Sequence, residues 1–317
     1  MANSITRQLL LDEASKRGWR VEIIGMKARL CRITTDTGKT EIFSGSRPLR
    51  SSANGRLISV FKDLTLEFVE SLGYSVPAYA TIDTLEDAER FMSKYERVVV
   101  KPIDGSQSKG VSVGITSIDR LIEAVGTAKE FSPSGRAIAQ NQIEGKLYRI
   151  FVLNGTVPVV TERRAAQVIG DGVSTIEQLV VRLNADPRRG DGSDTPLKKV
   201  KGPAVERYLG GEALSRVPLE HETVRISDIE SVSAGGEAAN VTEKVNQAWI
   251  DTACHITSQM GLFVAGFDII CADITKPPEG NYVPLLEINS SPGFKIHEYP
   301  SEGLPVHLAP LMFDNLL

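Results

Sequence analysis

The stretch Pro284-Leu285-Leu286-Glu287-Ile288-Asn289-Ser290-Ser291-Pro292-Gly293 constrains this chain more than any other. Alternating apolar and polar residues read as a β-strand, because successive side chains leave an extended backbone on opposite faces. Glu287 and Asn289 then share one face, Leu286 and Ile288 turn into a core, and Pro292-Gly293 turns the chain sharply just beyond. A second strand around Phe267-Asp268-Ile269-Ile270 brings another carboxylate, Asp268. Asp268, Glu287 and Asn289 form an oxygen-only donor set. Such a set suits Mg2+, which one or two carboxylates hold together with substrate phosphates. The competing reading is a solvated strand end with a salt bridge, the usual fate of an isolated Glu-x-Asn pair.

Composition narrows what such a site could serve. The 317 residues are 41% hydrophobic and 24% charged, an ordinary globular balance with ample material for a core. Thirty-six Lys plus Arg against forty Asp plus Glu leave a net charge of -4, so no global field favours nucleic acid or anionic membranes. No apolar run approaches the roughly 20 residues that span a bilayer, and the N-terminus lacks the apolar core of a signal peptide. The expectation is a cytoplasmic protein. Cys31, Cys254 and Cys271 are too scattered for a disulfide framework or a zinc site.

Local signals divide the chain. Residues 1–56 are short of core-forming runs and end in Ser51-Ser52-Ala53-Asn54-Gly55. Phe61, Leu64, Phe68 and Leu72 recur at helical spacing, with Gly73 as C-cap and Pro77 beyond. Val98 to Ile103 and Val111 to Ile115 read as two strands of a hairpin, followed by a helix that Ser117 caps and that buries Leu121, Ile122 and Val125. Asn154-Gly155 between Ile150–Leu153 and Val157–Val160 is a strong signal for a two-residue hairpin turn. Ser174-Thr175-Ile176-Glu177 has capping-box spacing and opens another helix. Residues 186–236 are rich in Gly, Pro and charge, and a connection that long is usually functional or mobile. A long helix from about Thr242 to Met260 precedes the two strands that carry the carboxylates.

Two further groups of residues could carry chemistry. Lys101-Pro102-Ile103-Asp104-Gly105-Ser106-Gln107-Ser108-Lys109-Gly110 places a lysine at the end of a strand and small residues at a hairpin tip. Backbone N–H groups there can approach phosphate oxygens closely, and the lysine adds a point charge. The Gly-Lys-Ser/Thr ending of a Walker A loop is missing. A plain flexible hairpin loop is the competing reading. Among Arg149, Arg163, Arg164, Arg188 and Arg189, some could grip carboxylate or phosphate with a bidentate fork. Lys62 starts a helix, where a cation opposes the helix dipole unless an anion is near.

Taken in order, Phe61-Lys62-Asp63-Leu64-Thr65, the loop Asp104 to Gly110, Gly145-Lys146-Leu147-Tyr148-Arg149, Gly266-Phe267-Asp268-Ile269 and Glu287 to Gly293 resemble the ATP-grasp carboxylate–amine ligases. Val168-Ile169-Gly170-Asp171-Gly172, Ser233-Ala234-Gly235-Gly236 and Pro292-Gly293-Phe294-Lys295-Ile296-His297 are similar to the ATP-grasp domain of cyanophycin synthetase, and Ala139-Gln140-Asn141 looks more like glutathione synthetase. The resemblance implies an α+β ATP-grasp fold, with two α+β subdomains (57–140 and 141–317) sandwiching ATP and a short N-terminal region (1–56). It further implies that Lys62, Lys101, Asp104, Gly105, Ser106, Lys109, Gly110 and Gln140 contact the nucleotide, and that Asp268, Glu287 and Asn289 hold Mg2+. Arg149 and Arg164 would lie near the transferred phosphate and the substrate carboxylate. Gln140 stands where the family usually has glutamate, and Gln167 where many cyanophycin synthetases have histidine. The implied reaction joins an amino acid or short peptide carboxylate to an amine through an acyl phosphate, in a homo-oligomer. The large flanking domains of cyanophycin synthetase are not recognised, so cyanophycin synthesis itself is not expected. Alternatives are a peptide-tailoring ligase that makes ester or amide crosslinks in a ribosomal precursor, and a non-catalytic ATP-binding module.

Overall fold

A computed structural model describes residues 5–24, 30–105, 109–192, 195–227, 232 and 235–317. The N-terminal region is more than a tail. Helix α1 (Ile5–Lys16) is followed by β1 (Arg20–Ile24), β2 (Leu30–Thr34), β3 (Thr40–Ser44) and β4 (Arg47–Pro48), which pair in sequence order as an antiparallel meander. The lack of long apolar runs reflects alternation, because Cys31, Ile33 and Phe43 point to one face and are buried.

Helices α2 (Ala53–Val60) and α3 (Lys62–Ser71) come next. Helix α3 starts one residue after Phe61, and Gly73 adopts φ +87° beyond its end, as a C-terminal glycine should. Its deepest residues are Thr65, Leu66 and Val69, while Phe61, Phe68 and Leu72 lie at the margin of the same face.

A small α+β unit follows, made of β5 (Tyr79–Thr81), α4 (Leu85–Met92), β6 (Val98–Pro102), β7 (Ser112–Ile115), α5 (Ile118–Glu130) and β8 (Ala137–Asn141). Its sheet runs β5-β8-β6-β7, and β6 and β7 form the expected hairpin with Val98 opposite Ile115. The Ser117 hydroxyl caps α5, which buries Leu121, Ala124, Val125 and Ala128 and leaves Ile122 exposed. These residues pack with Val98 and Val100 in a core of their own.

The larger sheet begins with β9 (Lys146–Leu153) and β10 (Thr156–Arg164), joined through Asn154 (φ +47°) and Gly155 (φ +78°). The two left-handed residues give the turn favoured by strand twist. From β10 the chain leaves the sheet through β11 (Gln167–Ile169), α6 (Ile176–Asn184), β12 (Arg189–Gly190), β13 (Leu197–Lys198), α7 (Gly202–Leu209) and β14 (Thr223–Arg225). The capping box of α6 is Thr175 with Gln178, one residue later than Ser174 with Glu177. Much of the stretch 186–236 therefore belongs to a folded insertion, where Val200, Val205 and Val224 pack with Val168, Ile176 and Leu179.

The chain re-enters the sheet as β15 (Glu237–Asn240), then forms α8 (Gln247–Gln259), β16 (Val264–Cys271), β17 (Leu285–Asn289), α9 (Lys295–Glu298) and α10 (Leu308–Leu316). The expected long helix thus begins at its Asn246 cap, after a separate 3-10 turn at Thr242–Lys244. Strand order is β15-β10-β9-β16-β17. One face buries Ile150, Phe267 and Ile288 against α8 and Leu66 of α3, so α3 shares the core of this sheet. The opposite face is covered over part of its length, where Phe151, Val159 and Val264 meet Leu10, Phe43 and Phe313. The N-terminal meander and the C-terminal helix together form that cover. Among the described residues no helix is long and apolar enough to cross a membrane.

Candidate active site

The uncovered part of that second face carries the polar residues. Asp268 lies directly opposite Arg149 on one side and Glu287 on the other, so the three side chains project together. Asp268 is 3% exposed, and its carboxylate accepts from Arg149 Nε and, at 2.7 Å, from Arg149 Nη2. Arg163 Nη1 adds a third bond at 3.2 Å. Burial alone would push the Asp268 carboxyl up, but the charge and hydrogen bonds of Arg149, with Arg163, bring it below the usual carboxylate range. Glu287 is half-buried and less committed. Its Oε1 accepts from Asn289 Nδ2 at 2.9 Å, and its Oε2 stands 3.9 Å from Lys62 Nζ.

Two irregularities in the strands shape the site. Pairing shifts between Asp268–Glu287 and Ile269–Leu285, so Leu286 is an extra, bulged residue. Strict alternation would bury Leu286, whereas Leu285 and Ile288 are the buried pair. The bulge turns the Leu286 carbonyl toward Lys101 Nζ, which donates to it at 3.0 Å. The second shift lies between Thr156 and Val159, beside Pro158, a residue that cannot complete a sheet ladder. Undisturbed pairing from the Asn154-Gly155 turn would set Arg149 opposite Val160 and put Arg164 on its face. The bulge sets Arg149 opposite Thr161 and brings Arg163 there instead. Arg164 points to the other face and bonds Glu162 and Glu302, both at 2.7 Å.

Lysines approach from the smaller unit and from α3. Lys101 Nζ is buried, donates to Gln140 Oε1 at 2.6 Å and, among the described residues, has only neutral hydrogen-bond partners. Gln140 passes the contact on, because its amide also donates to the Leu285 carbonyl at 3.2 Å, which a carboxylate could not do. Burial and then the Lys62 charge push Lys101 down to about 7, against the pull of Glu287 and Asp268. Lys62 opens α3, a helix without a side-chain cap, and its ammonium donates to the Gly105 carbonyl at 3.0 Å.

The loop residues divide. Asp104 is turned away, bonded to the Ser132 hydroxyl and, at 3.0 Å, to the Ser134 amide. Gly110 is at φ +70° and packs so closely on Phe131 that a Cβ would fall 2.8 Å from it. Lys109 is exposed, and Ser106 lies outside the described residues. The structure thus brings together Lys62, Lys101, Gly105, Gln140, Arg149, Asp268, Glu287 and Asn289, and leaves Asp104 and Arg164 bonded elsewhere.

Other residues support this arrangement without an obvious motif. Gly266 is needed because a Cβ would lie 2.8 Å from Pro292 and 3.0 Å from Arg149 Cδ, so glycine lets the turn after Asn289 cross the sheet here. Thr161, opposite Arg149, bonds His297 Nδ1 at 2.8 Å, and burial holds that imidazole down at about 3, hence neutral. In the insertion, Arg189 donates to the carbonyls of Lys198 and Gly235 and to Glu237, tying it to the start of β15.

The donor set fits a hard cation. Two neighbouring carboxylates and an amide oxygen are present, although among the described residues no cluster of three His, Cys, Asp or Glu exists. Of the roughly four acceptor positions of a carboxylate, Asp268 has three engaged by arginines, so Glu287 is the freer carboxylate.

No family model matches the chain. It is 34% identical over 261 residues to the cyanophycin synthetase of Synechocystis sp., covering 80% of this chain and 30% of that protein. It is 28% identical over 327 residues to a bifunctional glutathione biosynthesis protein of Mannheimia succiniciproducens, covering 99% of this chain and 43% of that one. The crystal structure of a bifunctional glutathione synthetase from Pasteurella multocida superimposes with a TM-score of 0.76 at 25% identity, over 99% of this chain and 43% of that chain. The chain therefore spans less than half the length of these relatives.

Proposed function

We propose that this chain, an ATP-grasp protein related to cyanophycin and glutathione synthetases, is an ATP-dependent ligase. It joins an amino acid or peptide carboxylate to an amine through an acyl phosphate and releases ADP and phosphate. The observation that carries the reading is the pairing of Lys62 and Lys101, two buried lysines gathered beside Glu287. Charges buried with so little compensation are costly unless a polyanion completes them.

Within this reading, Lys62 and Lys101 balance the phosphate charge, and Gln140 holds Lys101 in place. Glu287 and Asn289, with the remaining acceptor position of Asp268, would hold Mg2+. When bound, Mg2+ neutralises charge on the transferring phosphoryl group. Arg149 fixes Asp268, and Arg163 presents its guanidinium beside the position where the substrate carboxylate must meet the phosphorus. The loop after β6 borders the site through the Gly105 carbonyl, which accepts from Lys62 Nζ, and exclusion of water there would protect the acyl phosphate. The relatives' names speak of cyanophycin and glutathione, both built from amino acids, and this supports an amino acid or short peptide as substrate.

The test is release of ADP from ATP and Mg2+ across a panel of amino acids and dipeptides, with mass spectrometry of the products. ADP, phosphate and a product lighter by one water than its two substrates are expected. AMP with pyrophosphate would overturn the acyl-phosphate route.

A further inference from the structure

One buried polar group beside the site is only half satisfied. His297, on α9, is 1% exposed, and its Nδ1 is bonded to Thr161 Oγ1 at 2.8 Å. Its Nε2 is buried and, among the described residues, has no partner. An unpaired polar atom in the interior is costly, and most such atoms are bonded. The ring is fixed from a second direction by Phe151, which it meets edge to face with 5.2 Å between centroids.

Arg149 is incomplete in the complementary way. Its Nε and Nη2 both donate to Asp268, and among the described residues Nη1 has no acceptor. The two unpaired groups converge on one part of the sheet. Thr161, which holds the imidazole, stands directly opposite Arg149. Phe151, against which the ring packs, follows Arg149 on the same face of β9 and lies opposite Gly266. A Cβ on Gly266 would fall 3.2 Å from Arg149 Nη1 and 2.8 Å from Pro292, in the turn that leads into α9. The guanidinium therefore lies over Gly266, beside the turn that delivers His297.

We propose that His297 is a positioning residue for the reaction, a neutral imidazole whose Nε2 lone pair faces Arg149 Nη1 and fixes the guanidinium, and through it Asp268. This rests on the ligase reading above and adds to that site a residue that acts only through Arg149. The chemistry selects the tautomer. Beside a guanidinium an acceptor is favoured and an N–H is not, so Nδ1 carries the proton and donates to Thr161, which leaves Nε2 its lone pair. Burial and then the Arg149 charge keep the ring uncharged, against the pull of Asp268. An imidazolium would repel the arginine that it has to hold.

Two measurements test the role. In the first, protein carrying isotope-labelled histidine is studied by nitrogen NMR at neutral pH, and His297→Gln identifies the His297 signals among the four histidines. A protonated Nδ1 and an unprotonated Nε2 are expected. Arg149→Lys, which keeps a charge for Asp268 but removes Nη1, should move the Nε2 signal. A proton on Nε2, or an Nε2 signal that Arg149→Lys leaves in place, overturns the proposal, whether or not the protein is a ligase. In the second, turnover is compared between His297→Asn, whose amide reaches the Nδ1 position and keeps the Thr161 bond, and His297→Gln, whose longer amide reaches the Nε2 position. His297→Asn should lower kcat by roughly ten- to a hundredfold, the scale of a small misplacement in a site, with the KM for ATP nearly unchanged, and His297→Gln should recover most of that loss. Turnover in His297→Asn equal to or above that of His297→Gln would reduce His297 to a structural partner of Thr161 and overturn the proposal. The expected NMR result without any ADP release upholds the contact with Arg149 and counts against the ligase reading alone.

Discussion

The two halves of the candidate site treat charge in opposite ways. Around Asp268, anion and cations cancel within the protein, since Arg149 and Arg163 saturate most of one carboxylate. Around Lys62, Lys101 and Glu287, the hydrogen bonds go to carbonyls and amides, and among the described residues the one opposite-charge contact is the long 3.9 Å pair. The first half is a finished structural unit. The second retains electrostatic capacity for a ligand, which is why the facing carboxylates of neighbouring strands, Asp268 and Glu287, should respond differently to substitution.

The largest effect should come from breaking the finished half. Asp268→Asn leaves the Arg149 guanidinium buried without its counter-charge, and removing one partner of a buried pair costs about 3–5 kcal/mol. Urea unfolding should show that loss. In the open half, Glu287→Gln should lower turnover by roughly 10²–10³-fold, the scale of losing one preorganised charge-stabilising group, and leave the unfolding midpoint nearly unchanged. A comparable loss of stability in both variants would erase the distinction.

Lys101 sharpens the comparison through pH. Its folded pKa of about 7 lies below its unfolded value of 10.5. Between pH 7 and 10.5 the unfolded chain binds more protons, so the Lys101 contribution makes the ligand-free protein more stable as pH rises through that window. Polyphosphate favours the ammonium form, so ATP binding at pH 8 should take up a proton, and affinity should fall by up to about tenfold per pH unit above 7. Calorimetry in buffers of different ionisation enthalpy reads the uptake, and Lys101→Met should abolish it. The smallest effect belongs to the adjacent arginines. Arg163→Gln should impair turnover, while Arg164→Gln, away from the site in a partly exposed ion-pair network, should cost no more than about 1 kcal/mol and spare activity. Equal kinetic effects would mean that the face assignment has no functional consequence.

That arginine pair also marks how far the sequence could be read. Asn154-Gly155 announced its hairpin, because few residues tolerate two successive left-handed conformations, and the alternation around Glu287 and Asn289 placed both on one face. The register beyond each turn was not legible. One extra residue near Pro158 moves Arg163 to the site in place of Arg164, and one at Leu286 supplies the carbonyl that Lys101 needs. A bulge inverts every side chain after it and leaves little trace in composition. Helix phase was legible to within one position, since α3 buries Leu66 and Val69 with Phe68 and Leu72 at the edge.

The sequence by itself determined the types of element, the small-residue loop, the charged residues available for chemistry and the family that those motifs resemble. These depend on local dihedral preference and on residue chemistry, which each segment carries alone. Tertiary structure decided which charges meet. It joined the N-terminal meander to the C-terminal helix over one face of the sheet, gathered the insertion into its own small core, and set Ser46 and Ser59 against the turn after Asn289. Those outcomes depend on long-range packing and strand register, where a shift of a single residue exchanges the faces of a strand.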